Sequence, residues 1–107
     1  MNLQLTQKQK SVIFHLFDSE VRLKDFLFEP FGPPRLREKP EILLEDCWEL
    51  PQEQQILVRA ALDIWNGSGN VFLWELLRGL NEKNFGRLIF VLHRLRNQDA
   101  TRRQNSK

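Results

Sequence analysis

The sequence predicts an all-α protein, a compact bundle of about five helices with one long N-terminal helix and a proline-rich loop. Three observations carry this. Apolar residues recur at three- and four-residue spacing over most of the chain. Proline, glycine and asparagine gather at a few places and divide that pattern into helix-sized pieces. No segment alternates apolar and polar residues in the manner of a half-buried strand.

The first piece, Thr6 to Phe28, reads as one long helix with Thr6 as its N-cap. Val12, Leu16, Leu23 and Leu27 form one apolar stripe, with Ile13 beside it, and Phe14, Phe17, Val21 and Phe28 form a second. A small domain covers one such stripe, so Phe14, Phe17, Val21 and Phe28 are expected to meet a second copy in a homodimer. The competing expectation is that the loop after this helix folds back over the second stripe, using Phe31 and Leu36.

That loop, Glu29 to Pro40, carries Pro30, Gly32, Pro33, Pro34 and Pro40 and cannot be helical. Pro40 suits the first turn of a short helix reaching about Trp48, with Glu41, Glu45 and Asp46 near its start. Pro51 opens the next helix, which runs to Trp65 and stops at Asn66-Gly67. Ile56, Leu57, Val58, Ala60, Ala61, Leu62, Ile64 and Trp65 cover most of its circumference, so it is read as the central buried helix, with Trp65 as a principal anchor. Ser68-Gly69-Asn70 is a turn, and Asn70 would cap a short helix from Val71 to Gly79. Asn81 would cap the last helix, Glu82 to about Asn97, which turns Phe85, Leu88, Ile89, Leu92 and Leu95 or Arg96 inward. The chain is thus one domain over residues 1–97, followed by a flexible basic tail, 98–107.

The net charge of +2 hides an uneven distribution. Residues 41–75 hold seven acids against Arg59 alone, whereas residues 87–107 hold six basic side chains against Asp99 alone. A basic end points to an acidic partner or nucleic acid, and the acidic middle argues against a surface uniformly coated in positive charge. The apolar runs are broken by His15, Asp18, Glu20, Arg22 and Lys24, so neither a signal peptide nor a membrane span is expected. The single cysteine, Cys47, excludes an internal disulfide and fits a reducing, cytoplasmic setting.

Catalytic chemistry finds no foothold. Cys47 lies among Glu45, Asp46 and Glu49, which oppose thiolate formation. His15 and His93 lie on different helices and share no metal-ligand spacing. No nucleophile, base and orienting group converge, so no enzyme activity, cofactor or metal is expected. The Asn66–Asn70 segment lacks a phosphate-binding lysine and follows a helix, so it reads as a cap and turn. Residues 30–35 match a P-x-x-P-x-R spacing, but Gly32 interrupts the polyproline shape such ligands need.

The remaining candidates lie on the last helix. Phe90 sits on its outer face between Arg87 and Arg94, the composition of a protein-binding anchor. The expected function is therefore that of a small non-catalytic adaptor or regulatory protein that binds a protein partner through a helical surface. The alternative is a helix-turn-helix DNA-binding protein, with residues 72–96 as the motif and Lys83, Asn84, Arg87 and Arg94 as the nucleic-acid-binding set.

Overall fold

The structure, a computed structural model, describes residues 7–17, 20–32 and 35–105. Its order is α1 (Gln7–His15), α2 (Val21–Leu27), α3 (Pro40–Asp46), a 3-10 turn (Cys47–Glu49), α4 (Gln52–Asn66), α5 (Leu73–Gly79) and α6 (Glu82–Asn105). Among the described residues there is no strand, only one isolated antiparallel bridge between Phe28 and Leu36.

The long first helix is two helices. Past His15 the backbone tightens, with the Leu16 and Phe17 amides donating to the carbonyls of Ile13 and Phe14, three residues back. The amide of Glu20 then bonds the carbonyl of Phe17, and α2 starts one residue later. The break has a physical reason. A single straight helix this short of polar faces would leave one apolar stripe in water, whereas two segments can each turn their apolar side inward. Val12, Ile13, Leu16 and Phe17 are buried from the first segment, and Leu23, Leu27 and Phe28 from α2 and its end.

Phe28 is the hub of an aromatic cluster. Its ring centroid is 4.5 Å from Phe14, 5.5 Å from Trp65 and 6.4 Å from Phe17. Lys24 and Lys10 lay their ammonium groups over the Phe14 and Trp65 rings, 5.5 Å and 5.2 Å from the centroids. Trp65 packs against the core but is only half-buried, so Phe28 has the role expected of it.

The loop after α2 does return along the end of that helix. The amide of Glu29 donates to the carbonyl of Arg35, and the amide of Arg37 to that of Leu27. Arg37 adds a bond from Nε to the Phe26 carbonyl, 3.0 Å, with its guanidinium over the Phe26 ring. Leu36 packs against the core, but Phe31 stands 86% exposed, so half of the expected apolar cover is present.

Pro40 occupies the first turn of α3, where its missing N–H costs nothing. α4 ends as its sequence dictates: Gly67 takes the left-handed conformation, φ +78°, and its amide bonds the Asp63 carbonyl. α4 packs against α1, α2, α3, the 3-10 turn and α5, burying Ile56, Leu57, Val58, Ala60, Ala61 and Leu62. α6 packs chiefly on α1. It opens on Asn81, whose Oδ1 accepts from the Asn84 amide at 2.8 Å, and its helical backbone continues past Asn97 to Asn105. The radius of gyration, 13.8 Å, is near the ~13 Å of a compact chain this long.

Candidate functional site

The most distinctive local construction is around α5. Seven residues are too few for a helix to persist alone, and α4 holds this one at both ends. Arg59 grips the N-terminal end. Its guanidinium bonds both carboxylate oxygens of Glu75, at 2.7 and 3.0 Å, with both side chains largely buried. The same group donates to the carbonyls of Gly69, 3.2 Å, and Asn70. Glu75 Oε1 also accepts from the Phe72 amide at 3.0 Å, which satisfies one of the free donors at the start of α5. Asn70 is not the cap the sequence predicts. It sits at φ +52° and offers its carbonyl to Arg59 instead.

Two glycines make this approach possible. A Cβ on Gly69 would fall on the Arg59 carbonyl and 2.7 Å from the Asp63 amide nitrogen, so the turn lies directly on the α4 backbone. A Cβ on Gly79 would meet Cδ1 of Ile56. At the far end of α5, the backbone amide and side-chain amide of Asn81 both donate to the Glu53 carboxylate. Arg59 thus holds the start of α5 and Glu53 its end, so α5 runs antiparallel to α4.

The clamp turns Leu76 and Leu80 inward and leaves the opposite side uncovered. Phe72, Leu73, Trp74 and Leu77 are 61, 79, 60 and 70% exposed. Leu73 and Leu77 are one helical turn apart with Trp74 beside them, so they share one face. The sequence reading missed this face because FLWELLRGL is apolar around most of its circumference, interrupted only by Glu75 and Arg78, and periodicity does not say which apolar side is covered. Length is the signal that could have found it, since a seven-residue helix packed on one neighbour buries only one side.

On α6 the buried stripe is Asn84, Leu88, Val91 and Leu95. Phe90 is 62% exposed. Lys83, Arg87 and Arg94 fall with it on one flank by helical spacing, Lys83 and Arg94 exposed and Arg87 half-buried. Ile89 and Leu92 are exposed on the other flank. The structure therefore brings Phe90, Arg87, Arg94 and Lys83 together.

Two groups of expected site residues need correction. Asn84 is 4% exposed, so it cannot share a groove-reading surface with Lys83 and Arg87. The first turn of α6 rotates it toward the core because the buried stripe begins there. Nor do α5 and α6 pack as a helix-turn-helix pair, since α5 lies on α4 and α6 on α1. The proposed self-association stripe also dissolves. Phe17 and Phe28, 0 and 2% exposed, are interior to the chain, and Phe14 is half-buried against Phe28. The side chain of Val21 lies outside the described residues.

The other motifs are spent on structure. Cys47 is buried and donates its thiol hydrogen to the Leu44 carbonyl, 3.1 Å. Burial pushes its pKa up, Arg59 opposes this and Asp46 adds to it, so the thiol is held away from the reactive thiolate. Glu75 is shifted the other way. The hydrogen bonds from Arg59, then that from the Phe72 amide, hold its carboxyl below the ordinary 4.5 against the opposing effect of burial. Among the described residues no group of three or more His, Cys, Asp or Glu is placed to hold a metal ion. In the P-x-x-P-x-R segment Gly32 sits at φ +87°, outside polyproline geometry, while Pro33 and Pro34 lie outside the described residues. Among the described residues, no helix is long and apolar enough to cross a membrane. The chain matches no family model, no curated protein and no solved structure.

Proposed function

We propose that the chain is a non-catalytic protein-binding domain, an adaptor or regulator that engages protein partners, copies of itself included, through exposed faces of α5 and α6. One observation carries this reading: Leu73, Trp74 and Leu77 on a helix clamped into place, with Phe72 just before it, are four large apolar side chains exposed to solvent. Large contiguous apolar patches mark docking sites, because leaving them wet has a standing free-energy cost. Clamping matters equally, since a pre-ordered face loses little conformational entropy on binding.

The α6 flank is the second face. Phe90 supplies an aromatic anchor, and Lys83, Arg87 and Arg94 around it would draw an acidic partner and speed its approach. The burial of Asn84 leaves Lys83 as the one exposed member of that set in the first turn of α6, fewer polar groups than groove recognition draws on, which favours this reading over DNA recognition.

The test is site-specific photocrosslinking in living cells. A photoreactive residue replaces Trp74, Phe90 or, as control, the exposed Glu41 on α3. Discrete protein adducts at positions 74 and 90, and none at 41, are expected. Adducts at 74 and 90 no different from those at 41 would refute the reading.

A further inference from the structure

The α5 face invites the question of what covers it, and three properties point to the same occupant. The first is area. Four large side chains, each well over half exposed, present on the order of 500 Å² of apolar surface, taking aromatic side chains at about 150–250 Å² each. One such face is small for a stable interface, but two pressed together remove about 1,000 Å² from water, the lower limit for a specific interface.

The second property is composition. Phe72, Leu73, Trp74 and Leu77 carry no charge; of the two charges on the helix, Glu75 is consumed by Arg59 and Arg78 stands exposed at the edge of the face, one turn from Trp74. Transient partners meet through mixed polar surfaces, whereas homodimer interfaces are the more apolar class. The third is geometry. A short helix laid antiparallel on its own copy about a two-fold axis places Leu73 against Leu77 of the partner subunit, and the reverse, so the face is complementary to itself. Trp74 then covers the seam from each side.

We propose that the α5 face is the interface of a symmetric homodimer, a second copy of this chain being its occupant. This rests on the docking reading above and narrows it. The dimer leaves the Phe90 flank of each α6 free for a different protein, so the assembly would display two copies of that flank.

The experiment is sedimentation velocity on the full chain from sub-micromolar to hundreds of micromolar, with Leu73→Glu, Leu77→Glu and Phe90→Glu variants. Circular dichroism and thermal melts accompany each. The wild type is expected to sediment as a dimer at micromolar concentration. Leu73→Glu and Leu77→Glu should remain monomeric at concentrations at least a hundredfold higher. Their melting points, extrapolated to low concentration, should stay within a few degrees of wild type, because both positions are already wet in the monomer. Phe90→Glu should dimerise like wild type.

A wild type that is monomeric throughout overturns the dimer. If photocrosslinking at position 74 then captures a protein of another mass, the docking reading survives without it. If it captures nothing beyond the control, both fail. A dimer indifferent to both leucine variants but lost with Phe90→Glu overturns the assignment to α5.

Discussion

Three glycine-to-alanine substitutions, identical on paper, should differ in sign and size because each glycine has a different reason to be there. At Gly69 the added methyl would occupy the space of the Arg59 carbonyl, with the Asp63 amide 2.7 Å away, and ordinary contact begins at 3.4 Å. Both are backbone atoms of α4, so no side chain can swing aside. The turn must lift, and lifting it pulls the Gly69 and Asn70 carbonyls off the largely buried Arg59 guanidinium. Each hydrogen bond to a charged group contributes about 1.5–3 kcal/mol, so losing the two in Gly69→Ala should cost about 3–6 kcal/mol. At an unfolding entropy of about 2.1 cal/mol/K per residue, that lowers the melting temperature by about 13–27 °C. At Gly67 the methyl meets nothing, but φ is +78°, a conformation costing a non-glycine residue about 1–2 kcal/mol, or roughly 4–9 °C. At Gly86, within α6, the space is open and no left-handed φ is needed, so alanine should raise stability by about 0.8–1 kcal/mol. Melting each variant by circular dichroism in one buffer at neutral pH measures all three. A Gly69→Ala variant no worse than Gly67→Ala would refute the close contact of the turn with α4, and with it the clamp on α5.

The other predictions concern single groups. Because its carboxyl is held below 4.5, Glu75 contributes stability that is complete above that pH and lost as pH falls through the lower folded value. Thermal melts from pH 7 downward should therefore fall off below about 4.5, with a shallower decline for Glu75→Gln, which starts lower at neutral pH. Parallel curves for the two proteins would contradict the Arg59 pairing. Asn81→Ala removes the cap of α6 and a link to Glu53, and should cost about 1–2 kcal/mol in denaturant titrations. No change in midpoint would mean that α6 opens elsewhere. The Cys47 thiol should resist a disulfide reagent at pH 7.5 in the folded protein and react at once in denaturant, and fast labelling without denaturant would show that the site is open.

The parts of the fold that could be read from the sequence are those decided locally. Pro40 and Gly67 mark helix ends through their own backbone preferences, and Asn81 caps α6 through a residue three positions away. The apolar circumference of the Pro51–Trp65 segment likewise announced α4 as the helix with neighbours on most sides. What was illegible is what distant residues decide. The helical spacing of apolar residues continues through residues 12–28, and the competition for interior space divides it. Asn84 reads as a surface residue by type, and its burial follows from how α6 is rotated against α1. The Arg59–Glu75 pair joins positions sixteen residues apart on different helices, with no spacing rule to betray it. The candidate site suffers most from this, since the exposed face of α5 is defined by what that clamp turns inward.

The packing of α1 on α6 carries a consequence for how the chain reaches this structure. More than sixty residues separate the end of α1 at His15 from the start of α6 at Glu82. The contacts of α4 with α3 and α5 instead join elements that follow one another. Closing a long loop costs more entropy than closing a short one, and that cost must be met before the contacts it permits are made. The segment from α3 to α5 is therefore expected to assemble first, and the seam between α1 and α6 to close last, as the step that finishes the core. Substitutions at Leu88 or Val91 should accelerate unfolding while leaving the folding rate nearly unchanged, and those at Leu57 or Leu62 should slow folding itself.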